Sequence, residues 1–247
     1  MSKKLMTGLL ALVAFAALAL PAIASASPEI GETTAGGVWD KLAVHNPAKT
    51  CTEEPSGCIK ATNVGETLMT NSSGSVLTRC TTAVLTGELT KNSGTEIEGN
   101  VNSATFTGSG SESRCTATFG NSIVTPNVEV EEEGKKVKHG LPWCIKAGGS
   151  LEKDEMTVRG GSCSETARDI RFILDVLGGV ECEYQRTTAI PGTFTTDTSG
   201  QDAETTITKQ KFTRIRGSSL VCPSEGFLDM TFTLETDTGT ASPLYIR

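Results

Sequence analysis

The residues with the most evident chemistry are eight cysteines, all beyond residue 50. Cysteines commonly form disulfides, ligate metals or act as thiolate nucleophiles. An even number favours disulfides in an exported chain, and the C-x-x-C spacing typical of zinc sites does not occur in this sequence. We therefore predict four disulfides and no metal site. The cysteines are Cys51, Cys58, Cys80, Cys115, Cys144, Cys163, Cys182 and Cys222.

The spacing of the cysteines does not determine which of them pair, because many pairings are open to eight residues. Four cysteines fall in each half of the chain, and this even division is the only basis for a working order. We take the sequential order, and the pairs are Cys51–Cys58, Cys80–Cys115, Cys144–Cys163 and Cys182–Cys222.

Other groups that could support catalysis are few. The two histidines, His45 and His139, are expected to face solvent, and neither G-x-S-x-G nor H-E-x-x-H occurs. A paired-carboxylate site remains conceivable, although the spacing of its candidate residues does not single out a pair. Those candidates are Asp154, Glu155, Asp169 and Asp175. The sequence therefore indicates no catalytic residue and no cofactor, and it favours a protein without enzymatic activity.

Two kinds of ligand site are weakly indicated. Exposed aromatic rings could stack on sugars, and the candidates are Trp39, Trp143, Tyr184 and Tyr245. Trp143 lies next to Cys144, which favours core packing over ligand contact. The segment 197–202 has an acid at each end and a central glycine, but it lacks the later glutamate of a calcium loop, so we interpret it as a hairpin turn.

The first 26 residues have the pattern of a secretory signal. Lys3 and Lys4 precede an apolar run that is too short to cross a bilayer comfortably, and Ala24-Ser25-Ala26 provides small residues for cleavage after Ala26. No later stretch is apolar and long enough to span a membrane. The formal net charge is −7 and no basic cluster occurs, which argues against binding to nucleic acid. We predict a protein that is secreted or held at the cell-envelope surface.

The mature sequence is dominated by short segments that alternate apolar and polar residues. The clearest is the segment 228–234, where Leu228, Met230 and Phe232 fall on one face. The alternation slips near Asn102-Ser103, which predicts a β-bulge. Segment 128–137 predicts a hairpin in which glutamates face lysines across the ladder.

Residues 162–179 fit two patterns. Ser162 and Glu165 match a helix capping box, and the apolar residues that follow include a helical spacing. The same stretch alternates strictly from Ile170 to Val176, and alternation resumes after Gly178-Gly179. We favour a β-hairpin because β-branched and aromatic residues dominate here, and the helix stays as the alternative.

These elements together predict an all-β protein. We expect a disulfide-linked antiparallel β-sandwich, Ig-like or jelly-roll-like, over residues 51–247, preceded by an extended N-terminal arm over 27–50 that Trp39 and Val44 would dock. It would form one large or two small sandwich units. An internal boundary near 134–142 would place four cysteines on each side, and one continuous sandwich with an inserted hairpin fits as well.

Two groups of segments resemble proteins of one family. The first comprises the segments 61–65, 80–87, 92–94 and 104–108, and the second comprises Leu141-Pro142-Trp143-Cys144 with Arg159-Gly160-Gly161-Ser162-Cys163. They resemble a largely uncharacterised family of exported, cysteine-containing, β-rich actinobacterial proteins. The resemblance covers most of the mature chain and implies export and a β fold, but its motifs are structural and transfer no catalytic residue.

The leading hypothesis is a non-enzymatic extracellular or envelope-associated β module with a structural or binding role. Its partner would be an unknown ligand outside the cell or in the envelope. One alternative is a secreted hydrolase with an unrecognised acidic site. Another is a disulfide-braced inhibitor of an extracellular enzyme, for which Cys51 and Cys58 could close a protruding loop.

Overall fold

In the computed structural model, the described residues contain strands and turns and no helix, so none of them forms a helix able to cross a membrane. The described residues are 28–33, 38–108, 114–117, 120–132, 135–139, 141–149, 151, 154–176, 180–195, 202–218, 220–237 and 243–246, with side chains described outside 120–139 and 176. The signal segment 1–26 and the turn at 197–201 lie outside them.

Eighteen strands follow one another along the described part of the chain. They are β1 (Ile30–Thr33), β2 (Trp39–Lys41), β3 (Cys58–Asn63), β4 (Thr67–Thr70), β5 (Val76–Cys80), β6 (Thr82–Asn92), β7 (Glu96–Thr107), β8 (Cys115–Ala117), β9 (Gly120–Glu132), β10 (Lys135–His139), β11 (Trp143–Gly148), β12 (Glu155–Gly160), β13 (Ile170–Val176), β14 (Val180–Arg186), β15 (Ile190–Phe194), β16 (Glu204–Arg216), β17 (Glu225–Thr236) and β18 (Tyr245–Ile246).

Eight of these strands close into an antiparallel β-barrel. Their order around the ring is β16, β15, β12, β11, β7, β6, β3 and β17, and the ring closes because β16 pairs with β17. We call this ring the first barrel. A closed ring has no free sheet edge, which removes the unpaired backbone groups that an edge strand presents.

The same sheet closes a second time. Strands β9, β13, β14, β16, β17, β4, β5 and β8 follow one another, and the pairing of β8 with β9 completes the circuit. We call this circuit the second ring. It shares β16 and β17 with the first barrel, and β10 extends it beyond β9. Both circuits take strands from each side of residues 134–142.

The predicted β-sandwich is therefore wrong, although the all-β class is confirmed. A sandwich needs two separate sheets, whereas β16 and β17 form one long hairpin that passes through both circuits. The pairing of that hairpin shifts between Ile207 and Gln210, and Lys209 there has a positive φ of 47°. A bulge of this kind bends a strand and increases its twist, which lets one hairpin serve two rings.

The bulge predicted near Asn102 is confirmed. Thr86 pairs with Ser103 and Gly87 pairs with Val101, so Asn102 is the extra residue in β7. The two strands approach closely at this point, because a Cβ on Gly87 would lie 2.0 Å from the carbonyl oxygen of Asn100. Only glycine fits at position 87, and the bulge keeps the apolar residues on both sides of it directed inward.

The two segments with uncertain or charged patterns form hairpins. Residues 170–176 and 180–186 are the paired strands β13 and β14, so the β interpretation is confirmed for 170–176, whereas 162–169 form turns and one isolated bridge. The glutamates of β9 face the lysines of β10 in the ladder, as in the pair Lys136 and Glu131. The helical spacing in the first segment was coincidental, because alternation and helical period share some positions in short apolar runs.

Four disulfides brace the fold. The bonds are Cys51–Cys58, Cys80–Cys115, Cys144–Cys163 and Cys182–Cys222, which is the sequential order, and no cysteine is free. Two of them link strands or turns of the second ring, since Cys80 and Cys115 join β5 to β8 and Cys182 ties β14 to the turn before β17. Each bond limits the conformations of the unfolded chain and contributes about 2–4 kcal/mol.

The core between the two circuits is aromatic. Phe172 of β13 makes edge-to-face contacts with Phe106, Trp143 and Phe212 at centroid distances of 6.2, 5.6 and 5.3 Å. Trp143 is buried, which confirms its assignment to core packing. Phe106 and Trp143 belong to first-barrel strands, so this cluster closes the end of the first barrel that meets the second ring.

A small separate sheet lies at the other end of the first barrel. Strand β1 pairs with β18 on one side and with β2 on the other, and none of the three pairs with the large sheet in the described part of the chain. The predicted N-terminal arm thus contains two strands. Trp39 lies in β2, whereas Val44 is 47% exposed and does not dock the arm. We call this three-stranded sheet the terminal sheet.

Candidate functional site

The most distinctive site is a cavity of about 100 Å³ at the end of the first barrel that lies beneath the terminal sheet. Its wall comes from the strand ends that surround this mouth and from two residues of the terminal sheet. The lining residues are Ile30, Ile59, Ala61, Leu85, Thr86, Gly87, Glu88, Leu89, Ile97, Gly99, Asn100, Val101, Ile145, Ala147, Met156, Phe194, Thr205, Leu234 and Ile246.

The wall of the cavity is almost wholly apolar. The polar side chains of Glu88 and Asn100 are engaged elsewhere, since Asn100 donates to Glu88 at 3.2 Å and accepts from the backbone amide of Cys163 at 2.8 Å. Several buried polar atoms in the described residues have no hydrogen-bond partner, but none of them belongs to a lining residue. The other polar side chains of the wall are the hydroxyls of Thr86 and Thr205, and the rest of the described wall is apolar or glycine.

The local sequence explains why space remains. An eight-stranded barrel is just wide enough for side chains to fill it or to hold one small ligand. In this barrel Ala61 and Ala147 occupy inward positions on β3 and β11, and both are buried. The remaining wall is mostly aliphatic, with Phe194 as its one aromatic ring. Small residues at these inward positions leave a void that larger ones would fill.

A void of this kind differs from a water site. Apolar cavities stay dry because water inside them would find no hydrogen-bond partners, and an engineered apolar cavity of about 150 Å³ binds benzene or xenon. The cavity of the first barrel is smaller than that example. Its chemistry and size suit a nonpolar molecule of about six carbon atoms or fewer.

His45 is the second notable group, and its predicted exposure is wrong. The ring is 4% exposed. Its Nδ1 lies 2.9 Å from the carbonyl oxygen of Ser56 and its Nε2 lies 3.1 Å from that of Lys49. A neutral imidazole carries one N–H, so only the protonated ring donates to both carbonyls. The bond to Ser56 is the main cause that raises the pKa of His45 above its ordinary value, against the opposing effect of burial.

The surroundings of His45 are cysteine-rich but not a metal site in this oxidised protein. The ligand atoms of His45, Cys51 and Cys58 lie within 4.8 Å of one another. Both sulfurs are joined in a disulfide, and metals are ligated by thiolates. Both ring nitrogens face carbonyl oxygens. The cluster therefore fastens the loop 49–58 to the arm, and no sequence pattern other than the nearby cysteine loop pointed to it.

The candidate carboxylates are not brought together as a pair along β12 and β13. Asp169 precedes β13 and accepts a hydrogen bond from Gln185, whereas Asp175 lies six residues later on the same strand. That separation is about 20 Å at the rise of an extended strand. Asp154 and Glu155 lie at the start of β12, and Gly160 at its other end bridges to Arg168 beside Asp169. The length of β12 thus separates Asp154 and Glu155 from Asp169.

The remaining predicted site residues have structural positions. Tyr184 is buried and donates to the carbonyl oxygen of Pro223 at 3.1 Å, and Tyr245 lies in β18. Trp143 and Tyr184 are both buried, so neither ring is available to stack on a sugar. The side chain of His139 lies outside the described residues. Neither the two histidines nor the aromatic residues indicated the cavity, which depends on residues of ordinary type.

Comparisons with known proteins found no match to this chain: no protein-family model, no curated protein and no solved structure matches it. The assignment of function therefore depends on the barrel, its cavity and the disulfides alone.

Proposed function

We propose that this chain is an exported, non-enzymatic binding module that holds a small nonpolar molecule inside its first barrel. The observation that carries the proposal is the apolar cavity beneath the terminal sheet. Protein interiors are normally packed to the density of organic crystals, so an unfilled space of this size in a closed barrel is a feature to explain. Four disulfides are typical of extracellular proteins and support export.

The chemistry of the wall limits the ligand. A hydroxyl or charged group placed there would lose its hydrogen bonds to water without replacement, which costs about 1–3 kcal/mol or more for a hydroxyl. The ligand is therefore uncharged and lacks hydrogen-bonding groups on its buried part. Benzene and xenon are suitable probes, and phenol is the matched polar probe because it adds one hydroxyl to benzene.

The two alternative functions receive less support. A hydrolase with an acidic site would bring carboxylates from distant parts of the chain together. Asp169 is instead separated from Asp175 by the length of β13, and from Asp154 and Glu155 by the length of β12. An inhibitor would present an extended braced loop, but the loop closed by Cys51 and Cys58 consists of turns, with Cys58 N–H bonded to the carbonyl of Pro55. Neither has an observation in its favour comparable with the cavity.

Methyl NMR on the exported, oxidised protein tests the proposal. Five isoleucines line the cavity: Ile30, Ile59, Ile97, Ile145 and Ile246. We expect xenon and benzene to shift their methyl resonances, to leave those of Ile170 and Ile190 unchanged, and phenol to bind at least about tenfold more weakly than benzene. Absence of any benzene or xenon effect on the five cavity isoleucines would overturn the proposal.

A matched pair of variants locates the bound probe. Ala147→Leu places extra carbons in the cavity and should abolish the benzene shifts. Ala104→Leu makes the same change on β7 at a partly buried position that does not line the cavity, and it should bind benzene like the unmodified protein. Equal binding by both variants would show that benzene binds outside the barrel.

A further inference from the structure

We propose that strands β1 and β2 of the terminal sheet form a lid on the cavity and that the side chain of Asn92 is the latch that holds it closed. This inference rests on the proposed function, because it concerns how a ligand reaches the same cavity. It adds a moving element and the residue that controls it.

The terminal sheet provides part of the cavity wall. Ile30 of β1 and Ile246 of β18 are ladder partners, both are at most 3% exposed, and both line the cavity. The other lining residues come from the barrel. Displacement of β1 would therefore remove wall atoms from the cavity at the mouth of the barrel, while the aromatic cluster around Phe172 closes the opposite end.

Strands β18 and β1 of the terminal sheet are held to the barrel differently. The segment before β18 is anchored by backbone bonds on both sides, because Leu244 N–H donates to the carbonyl of Leu234 at 2.9 Å and Leu244 C=O accepts from Ala203 at 2.7 Å. Strand β1 has no ladder to the barrel within the described part of the chain. Among the described residues, the hydrogen bonds between β1 and a barrel strand involve one side chain, that of Asn92 at the end of β6.

Asn92 uses its whole amide in this role. Its Nδ2 donates to the carbonyl oxygens of Ile30 at 2.8 Å and Leu42 at 2.9 Å, and its Oδ1 accepts from the backbone N–H of Ile30 at 3.2 Å. The side chain is buried, being 6% exposed as a residue. It therefore grips β1 and the residue after β2 together, and loss of its two donors would release both from the barrel.

The residues that follow Leu42 could act as a hinge for β1 and β2. His45 N–H donates to the carbonyl of Leu89 at 2.9 Å and fixes the arm to β6 again. Between Leu42 and His45, the residues Ala43 and Val44 are exposed. Opening would break the three bonds of Asn92 and the two-residue pairing of β1 with β18, while the bond at His45 and the disulfide loop behind it stay in place.

The variant Asn92→Asp tests the latch with almost no change of shape. A carboxylate keeps the acceptor but turns both donor positions toward carbonyl oxygens, so two bonds become repulsive. Asn63→Asp is the matched control. Asn63 also donates to two carbonyls and accepts from one amide, those of Gly65, Thr81 and Ala83, and it lies at the opposite end of β3 from the cavity mouth.

Two measurements on the oxidised protein report opening. Amide hydrogen exchange follows the N–H groups of Ile30 and Leu42, and NMR exchange measurements with xenon give the rate at which it leaves the cavity. We expect Asn92→Asp to raise both rates about tenfold or more, since two hydrogen bonds are lost, and Asn63→Asp to leave both unchanged. If Asn92→Asp does not fold, Asn92→Ala removes the same bonds without repulsion.

The outcomes separate the two proposals. Xenon that binds the unmodified protein but leaves Asn92→Asp at an unchanged rate would overturn the lid and keep the binding function. Equal acceleration by Asn63→Asp would also overturn the lid, because the effect would then be general destabilisation. Absence of xenon and benzene binding to the unmodified protein would overturn the binding function and the lid with it.

Discussion

The first barrel and the second ring have the same number of strands and share β16 and β17, yet their interiors differ. The second ring is filled at its junction by aromatic side chains in edge-to-face contact around Phe172. The first barrel has alanines at comparable inward positions and keeps a cavity of about 100 Å³. Strand number fixes the width of a barrel, and the size of the inward side chains then decides whether that width is filled.

The two interiors are also closed differently. Disulfides attach to strands of both, since Cys80–Cys115 and Cys182–Cys222 lie in the second ring, and the other two bonds end on β3 and β11 of the first barrel. No disulfide reaches the terminal sheet, which is held over the mouth of the first barrel by a few hydrogen bonds. Regions that move for binding come from the less stable parts of a protein. The contrast therefore places access at the terminal sheet.

The largest expected effect comes from matched phenylalanine truncations. Phe172→Ala should destabilise the protein near the upper end of the about 3–5 kcal/mol range for buried phenylalanine, because it also loses three ring contacts. Phe194 lines the cavity, so the loss of stability caused by Phe194→Ala should lie at or below the lower end of that range. Denaturant unfolding monitored by circular dichroism gives both values. Equal losses would mean that the cavity wall is packed as tightly as the aromatic cluster.

Substitution of a buried alanine by leucine should destabilise the aromatic end of the first barrel more than the cavity. Ala83 is fully buried and pairs with Phe106 at the aromatic end, so Ala83→Leu should cost about 1–3 kcal/mol. Ala147→Leu enters the cavity and should change the free energy of unfolding by less than about 1 kcal/mol, with stabilisation as one acceptable result. A cost for Ala147→Leu as large as that for Ala83→Leu would contradict an open cavity.

The mouth of the first barrel should respond to pH near neutrality. Because the pKa of His45 is raised above 6.5 in the folded protein, its contribution is complete below pH 6.5 and is lost as pH rises through the folded value. Glu88 and Glu54 face the ring and favour the same charged form. At pH 5.5, His45→Gln should cost about 1.5–3 kcal/mol, as expected for hydrogen bonds to a charged donor.

The control for His45 is the pH profile itself. The free energy of unfolding of the unmodified protein should fall between pH 6 and 8.5, and that of His45→Gln should change less over the same interval. Parallel profiles for the two proteins would show that the ring does not carry the proton that its two carbonyl partners require.

The second ring should respond only in strong alkali. Burial raises the pKa of Tyr184 to about 12, so the folded state favours the neutral phenol, and stability is lost as pH rises from 10 toward that value. Tyr184→Phe should remove this loss and cost about 1 kcal/mol at neutral pH through the bond to Pro223. Ultraviolet titration of the unmodified protein and of Tyr184→Phe should assign an ionisation near pH 12 to Tyr184. Ionisation of Tyr184 near pH 10 would contradict the burial.

Local patterns in the sequence were sufficient for several strands, although not for β1 and β2 of the N-terminal arm. Alternation identified β17, the bulge at Asn102 and the hairpin of β13 and β14, because the side chains of a strand alternate between its two faces whatever the strand pairs with. The even number of cysteines indicated four disulfides for a related reason, because the count of cysteines can be read from the sequence without knowledge of the fold. Burial of Trp143 also followed from its neighbour Cys144 and its size.

The tertiary structure alone decided the ring closure and the site. Alternation is the same in a sandwich and in a barrel, and the difference lies in which distant strands pair, as when β3 pairs with β17 across most of the chain. The burial of His45 likewise depends on carbonyls brought to it by folding. Ala147, Ile30 and Ile246 are far apart in the sequence, but all three line the cavity in the folded protein. A local sequence pattern cannot predict this contact between distant residues.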